Sequence, residues 1–172
     1  MDRRDRLRRL RRRGAVGGRV LAELLDVLDA RRSAHLPADR PRYLMGVGDP
    51  LGLVEAVARG VDLFDCVLPT RLARHGTMLT GSGRLNLANA RFAGDDGPLD
   101  PACGCPTCAR YSRGYLRHLL GVGEATAPRL LTLHNVGWLL DLVASARDAI
   151  RAGRFAAFRS AVAATWGPTA VT

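Results

Sequence analysis

The stretch "CGCPTC", residues 103–108, packs three of the chain's four cysteines into six positions, and His134 in "LTLHN" follows after 25 intervening residues. The set reads C-x-C-x(2)-C-x(25)-H. Three soft thiolates and one imidazole are the ligand count of a closed tetrahedral zinc site, so Cys103, Cys105, Cys108 and His134 are expected to hold one structural Zn2+. Nothing is then left open for a substrate. Such a site forces a cysteine-bearing loop against a helical tail, and binding energy on the order of 10 kcal/mol becomes folding energy where a small subdomain lacks core. The bland alternative is a group of unligated core cysteines beside a surface histidine. Clustered thiols in a reducing compartment more often hold metal or do chemistry than form disulfides.

That compartment is the expected one. No apolar run approaches the ~18 residues of a membrane span, and the opening "MDRRDRLRRLRRRG" has no apolar segment behind it that could act as a signal peptide. A cytoplasmic chain without a membrane partner is expected. Its 172 residues, 47% of them hydrophobic, are enough for one domain or slightly more with a real core. The net charge of +10 is unevenly spread, because residues 1–13 carry eight Arg against only Asp2 and Asp5. The basic excess favours an anionic partner, nucleic acid above all. A solvated, frayed helix or a misassigned start of translation is the simpler account of the Arg run itself.

Along the chain the clearest unit is "RYLMGVGDPLGLVEAVARGVDLFDCVLPTR". "YLMGV" reads as a buried strand. Asp49 then Pro50 reads as an N-cap with proline at the first helical position, and Leu51, Val54, Val57 and Ala58 form a stripe at helical spacing that Gly60 closes. "VDLFDCVLP" is a second strand, halted by Pro69. Strand, helix, strand with so short a linker is a parallel βαβ unit, the building block of α/β sheets and barrels. "TMLTGSGRLNL" reads as a hairpin turning at Gly81, Ser82 and Gly83, and "GDDGPLDPACGCPTC" as loop. Helices follow: one ending at Gly121, one beginning with Asn135 as cap and His134 at its start, and one bearing Phe155, Phe158, Val162 and Trp166. The middle helix is expected to bury Val136, Leu139, Leu140, Val143 and Ile150 and to stop at Gly153.

Asp65 stands inside "LFDCVLP", where an ionised carboxylate is costly unless paired or placed at the strand's open end. In barrels of alternating strands and helices, reactive side chains sit at the carboxyl ends of strands. A carboxylate there can attack a sugar's anomeric carbon, forming and releasing a glycosyl ester. A structural ion pair fits the position equally well. Cys66 alternates to the opposite face and reads as core. In "PTRLARHG", Arg71, Arg74 and His75 are expected in a loop at the same end of the sheet, where guanidiniums suit phosphate oxygens, or where the loop is simply solvated.

Taken together, "RPRYLMGVGDP", "GVDLFDCVLPTR", "GPLDPACGCPTCARYSRGYLRHL" and "LLTLHN", in this order and spacing, resemble bacterial tRNA-guanine transglycosylases, also called queuine tRNA-ribosyltransferases. The resemblance runs from about residue 36 to residue 166. It implies that Asp65 attacks the ribose of the wobble guanosine and expels guanine, that a 7-deazaguanine base takes its place, and that Cys103, Cys105, Cys108 and His134 bind structural zinc. It implies a methionine stacked on the bound base at Met45, and places Gly18, in "AVGGRVLAE", at the base pocket. Two stretches are implied to contact tRNA: Gly46, Val47, Gly48, Asp49, Pro50, Leu51 and Gly52, and then Thr70, Arg71, Leu72, Ala73 and Arg74. The fold implied is α/β, the C-terminal portion of a (β/α)8 TIM-type barrel with an inserted zinc-binding subdomain and helical tail. An Arg-rich, poorly matching segment fills residues 1–35, the last βαβ unit of the barrel residues 36–76, and the zinc subdomain with C-terminal helices residues 77–172. Family members are longer, so the chain looks like the C-terminal two fifths of the enzyme. The first six barrel strands and the general acid/base aspartate have no counterpart in it. A homodimer and a complementary N-terminal half are the two partner arrangements this leaves, and a zinc-stapled tRNA-binding module without turnover is the alternative to an enzyme.

Overall fold

The computed structural model describes residues 39–167, together with Asp26. Gly18 and the Arg run of residues 1–13 lie outside the described residues. The fold begins with β1 (Tyr43–Met45), α1 (Pro50–Ala58) and β2 (Leu63–Asp65), and the two strands pair in parallel with Leu44 opposite Phe64 and Met45 opposite Asp65. This is the βαβ unit expected from the sequence. Asp49 caps α1, its Oδ1 accepting from the Gly52 N–H at 2.9 Å, and Pro50 occupies the first turn, where its missing N–H costs nothing. Gly60 supplies a φ of +78° that reverses the chain into β2. The inward face of α1 is Leu53, Val54 and Ala56 rather than the Leu51, Val57 and Ala58 of the expected stripe, because the helix is covered on a second side. There Arg159 forms a two-pronged ion pair with Glu55, Nε to Oε1 at 2.6 Å and Nη2 to Oε2 at 2.8 Å.

The segment after β2 departs from expectation. Residues 70–74 are not a loop but belong to α2 (Leu68–Arg74): the strand ends already at Asp65, and Pro69 sits in the first turn of a helix. His75 ends α2 and Gly76, with φ +69°, turns the chain into β3. The hairpin β3 (Thr77–Thr80) and β4 (Gly83–Asn86) is antiparallel, closed between Thr80 and Gly83. A 3-10 turn (Ala90–Phe92), α3 (Pro106–Arg110) and α4 (Arg113–Gly121) lead to α5 (Thr126–Arg151), 26 residues and so roughly 39 Å long. The last helix, α6 (Phe155–Trp166), follows a turn at Gly153 with φ +67°.

The start of α5 is the second departure. Asn135 does not cap it, and His134 is not at its beginning; both lie in its interior and are fully buried. Pro128 falls in the first turn, where helices tolerate it, and the helix starts ten residues earlier than the Asn135 cap implied. The buried face is Ala127, Leu131, His134, Asn135, Leu139 and Ala146, whereas Val136, Leu140 and Ile150 are exposed. Two apolar clusters flank this helix. Ala73, Met78, Leu87, Phe92, Leu99, Leu116 and Leu131 form one. Val47, Leu53, Leu79 and Leu139, with Leu44, Phe64, Leu72 and Trp166 against them, form the other. Thus α5 carries α2 and the hairpin on one side and the βαβ unit nearby. Truncating a side chain as enclosed as Leu131 is expected to cost about 2–5 kcal/mol. The described residues form an α/β structure with one parallel strand pair and one hairpin. Among them no helix is long and apolar enough to cross a membrane.

Candidate metal centre and the strand ends

Cys103, Cys105 and Cys108 converge on one nitrogen. Their Sγ atoms lie 3.7, 3.5 and 3.3 Å from His134 Nδ1, and all four donor atoms lie within 4.8 Å of one another. Zinc–sulfur and zinc–nitrogen bonds of about 2.3 and 2.0–2.1 Å at a tetrahedral angle imply sulfur–nitrogen edges of about 3.5 Å, so the donor set fits that ion. The imidazole is prepared for the role. His134 Nε2 lies 2.8 Å from the Leu79 carbonyl, an acceptor only, so Nε2 carries the proton and Nδ1 turns a lone pair toward the thiols. Burial keeps the ring below its ordinary pKa and hence neutral, although the Leu79 carbonyl and Asp100 oppose this. Burial also pushes the Cys108 thiol up to about 12, and raises Cys103. Protons therefore hold these sulfurs at neutral pH unless a dication replaces them.

The loop is built to present the sulfurs. Cys105 caps α3, its Sγ 3.4 Å from the Cys108 N–H, so two ligands share one helix start. Asp100, buried, accepts from Gly81 N–H at 2.7 Å and Ala102 N–H at 3.0 Å, pinning the loop to the hairpin turn. Thr107 donates its hydroxyl to the Leu130 carbonyl of α5 at 3.0 Å. Loop, hairpin and long helix thus meet at the candidate metal site.

The second site lies at the carboxyl ends of β1 and β2. Gly46, with φ +80°, ends β1 and donates its N–H to the Asp65 carbonyl at 2.8 Å, which fixes the two strand ends together. Asp65 is exposed, so it bears no burial cost, and among the described residues it makes no ion pair. Tyr43 stands beside it, and the Asp65 carboxylate holds the Tyr43 hydroxyl above its ordinary pKa. Met45, 72% exposed, is in register with Asp65. Tyr43, Met45, Leu63 and Asp65 all face solvent, while Leu44 and Phe64 between them turn to the core. Cys66 is half-buried behind this face, and burial, with Asp65 and Asp49 adding to it, keeps the thiol protonated. It packs so closely on Gly48 that a Cβ there would collide with Sγ and stand 2.7 Å from Cys66 Cβ.

The remaining expected site residues divide by exposure. In the first stretch Gly46 is exposed, Asp49 and Leu51 are half-buried, and Val47, Gly48, Pro50 and Gly52 are buried. On α2, Thr70, Arg71 and Arg74 are exposed, while Ala73 is enclosed and Leu72 packs inward. Helical spacing sets Thr70, Arg71 and Arg74 outward together. Two residues beside these sites are given no such place by the sequence: Tyr43 is passed over, and Asn135 reads as a helix cap. The signals that could have found them are the two-residue spacing of Tyr43 from Met45 and the helical spacing of Asn135 with Leu131 and Leu139.

Comparison with known proteins gives a consistent picture. A family model described as "Queuine tRNA-ribosyltransferase" matches residues 3–168. A curated "Queuine tRNA-ribosyltransferase" from Sphingopyxis alaskensis is 56% identical over 156 residues, which are 88% of this chain and 41% of the relative. One from Nitratidesulfovibrio vulgaris is 55% identical over 146 residues, 85% of this chain and 39% of the relative. One from Bacillus mycoides is 50% identical over 148 residues, with 84% and 39% covered. The chain spans about two fifths of the length of these relatives.

Proposed function

The chain belongs to the queuine tRNA-ribosyltransferase family, and on that premise we propose that it supplies the C-terminal part of a tRNA-guanine transglycosylase, a pentosyltransferase of queuosine biosynthesis. The observation that carries the reading is the register of Met45 with Asp65 on one exposed face at the carboxyl ends of two parallel strands. An Asp65 carboxylate oxygen attacks the anomeric carbon of the wobble ribose as its bond to guanine breaks, leaving an aspartyl ester of the sugar. A 7-deazaguanine nitrogen then attacks the same carbon and frees the carboxylate. Tyr43 orients the carboxylate oxygen that does not attack. Met45 offers a polarisable thioether against which the base can stack. Thr70, Arg71 and Arg74 on α2, with the 46–52 turn, provide the contacts to tRNA, arginine forks matching phosphate oxygens. Cys103, Cys105, Cys108 and His134 hold one zinc ion whose part is structural.

The departing guanine must gain a proton and the incoming base must lose one. The resemblance puts the group that does this in the portion of the family's length that the chain does not span. The bare Tyr43, Met45, Leu63 and Asp65 face and the two-stranded sheet's open edges favour completion by further parallel strands, as a barrel requires. A complementary N-terminal half in the cytoplasm is the partner this supports, with a homodimer as the other arrangement. Residues 36–76 are then the last barrel unit and 77–172 the metal subdomain with its helices.

Incorporation of labelled guanine into unmodified tRNA is the direct test. The 172-residue chain by itself is expected to give none, and a chain supplying the missing strands is expected to restore exchange that Asp65→Asn abolishes. Robust incorporation by the lone chain, lost in Asp65→Asn, would overturn the requirement for a second half. A zinc-stapled tRNA-binding module would bind tRNA in both experiments and turn over in neither.

A further inference from the structure

We propose that Asn135 is a positioning residue: its side-chain amide transmits the placement of the Cys3His centre to β3 and to the helix α2 that follows Asp65. Asn135 is fully buried in the middle of a helix, where an amide is costly unless every group on it is matched. Here every group is matched. Oδ1 accepts from the Leu79 N–H at 2.9 Å, and Nδ2 donates to the Thr77 carbonyl at 3.0 Å and to the Pro69 carbonyl at 3.1 Å. The orientation of the amide is forced, since Leu79 N can only donate and the two carbonyls can only accept.

Two of these bonds have a definite meaning. β3 pairs with β4 on one edge only, and Thr77 O with Leu79 N are the groups its other edge would offer to a neighbouring strand. The Asn135 amide takes the place of that strand, and His134 Nε2 completes the edge at the Leu79 carbonyl. Adjacent residues of one helix therefore hold the same strand, and one of them is a metal ligand. The third bond reaches beyond the hairpin. Pro69 lies in the first turn of α2, between Asp65 and Arg71, and α2 rests on α5, with Ala73 in the same apolar cluster as Leu131 and Leu72 packed on the cluster of Leu139. The metal fixes the rotation of α5 about His134, and Asn135 converts that rotation into the position of the Pro69 carbonyl. The functional consequence, that α2 presents Arg71 and Arg74 to tRNA in fixed register, rests on the reading of α2 given above.

The test uses the full chain with Co2+ in place of zinc, so that the cobalt absorption bands report an intact Cys3His centre. Asn135→Asp keeps the acceptor for Leu79 N–H and loses both donors, and Asn135→Ala loses all three bonds. In both, amide hydrogen exchange over residues 70–76 is expected to accelerate at least tenfold while the cobalt bands and the protection of residues 105–110 stay as in the parent. Unchanged exchange over 70–76 with an intact centre would overturn the proposal. Should a variant not take up cobalt, the parent decides: chelation below its melting temperature is expected to unprotect 70–76 together with the cysteine loop, and protection of 70–76 that survives chelation would overturn it. A binding arm separates this claim from the RNA reading. The combined loss of affinity for tRNA caused by Arg71→Ala and Arg74→Ala is expected to shrink about tenfold in the Asn135→Asp background. If the two arginines contribute nothing in the parent, the RNA reading falls and the exchange data still decide the role of Asn135.

Discussion

Replacing His134 by alanine removes two things that replacing Cys108 by serine does not remove together. Both variants lose a metal ligand, and apparent zinc affinities of about 10–16 kcal/mol are comparable to or larger than the whole stability of a typical domain, about 5–15 kcal/mol. Each is therefore expected to fall from one zinc per chain to near zero, and Cys108→Ser to melt where the parent melts in excess chelator. His134→Ala in addition strips the Leu79 carbonyl of its donor at 2.8 Å and empties a fully buried site beside α3. An unsatisfied buried acceptor costs about 1–3 kcal/mol. At about 2–4 °C per kcal/mol for a chain of this size, His134→Ala should melt about 2–12 °C below Cys108→Ser. The assay is elemental analysis of purified protein beside thermal unfolding, each with and without chelator. The parent's metal affinity should also rise with pH, because burial pushes the Cys108 thiol up to about 12 and binding must displace that proton. A His134→Ala chain that keeps one zinc, or that melts together with Cys108→Ser, would refute the assignment of both ring nitrogens.

Two further perturbations test the frame around the sites. Glu55 is held below its ordinary pKa first by Arg159 and then by Arg59, against a burial effect in the other direction, so its stabilisation is present above the ordinary carboxylate range and is lost as pH falls through the lowered value. Glu55→Gln should cost about 1 kcal/mol at pH 7, much less in high salt, and remove that acid-side loss from the melting profile. Gly48→Ala should destabilise by about 1–3 kcal/mol through the collision with Cys66, as urea unfolding would measure. Cys66→Ala should recover only part of that loss, because Cys66 Cβ itself stands 2.7 Å from the new methyl.

How much of this was legible in the sequence depends on whether the determinant was local. Asp49 before Pro50, the thiol spacing, the hairpin between Thr77 and Asn86 and the stop at Gly153 all follow from chemistry within a few residues, and each stands in the structure where local rules put it. The departures share a cause. Pro69 was read as a breaker and is also a helix starter; Asn135 was read as a cap and is an interior residue. Both residue types have two legitimate positions, and tertiary packing chooses between them: Ala73 and Leu72 gain burial only if α2 coils, and Asn135 finds Leu79, Thr77 and Pro69 only across the fold. The exposed stripe Val136, Leu140 and Ile150 failed for the same reason, since helical periodicity identifies faces but not which one the rest of the chain will cover.

The place of the candidate metal centre in the fold has a mechanical consequence for Asp65. A carboxylate that attacks an anomeric carbon must be placed to within about an ångström, because misplacement on that scale can cost about a hundredfold in rate. Two three-residue strands joined by one helix are poor at holding such a tolerance alone. The structure adds a second constraint from behind: α5, anchored at His134, bonds through Asn135 to Pro69, four residues beyond Asp65. Under the proposed mechanism the candidate metal site, none of whose ligands lies at the strand ends, limits the freedom of the segment that follows Asp65. Removing metal from a completed enzyme should therefore lower kcat through Asp65 placement before it abolishes folding. A chelated enzyme that keeps its full kcat until it unfolds would break that link.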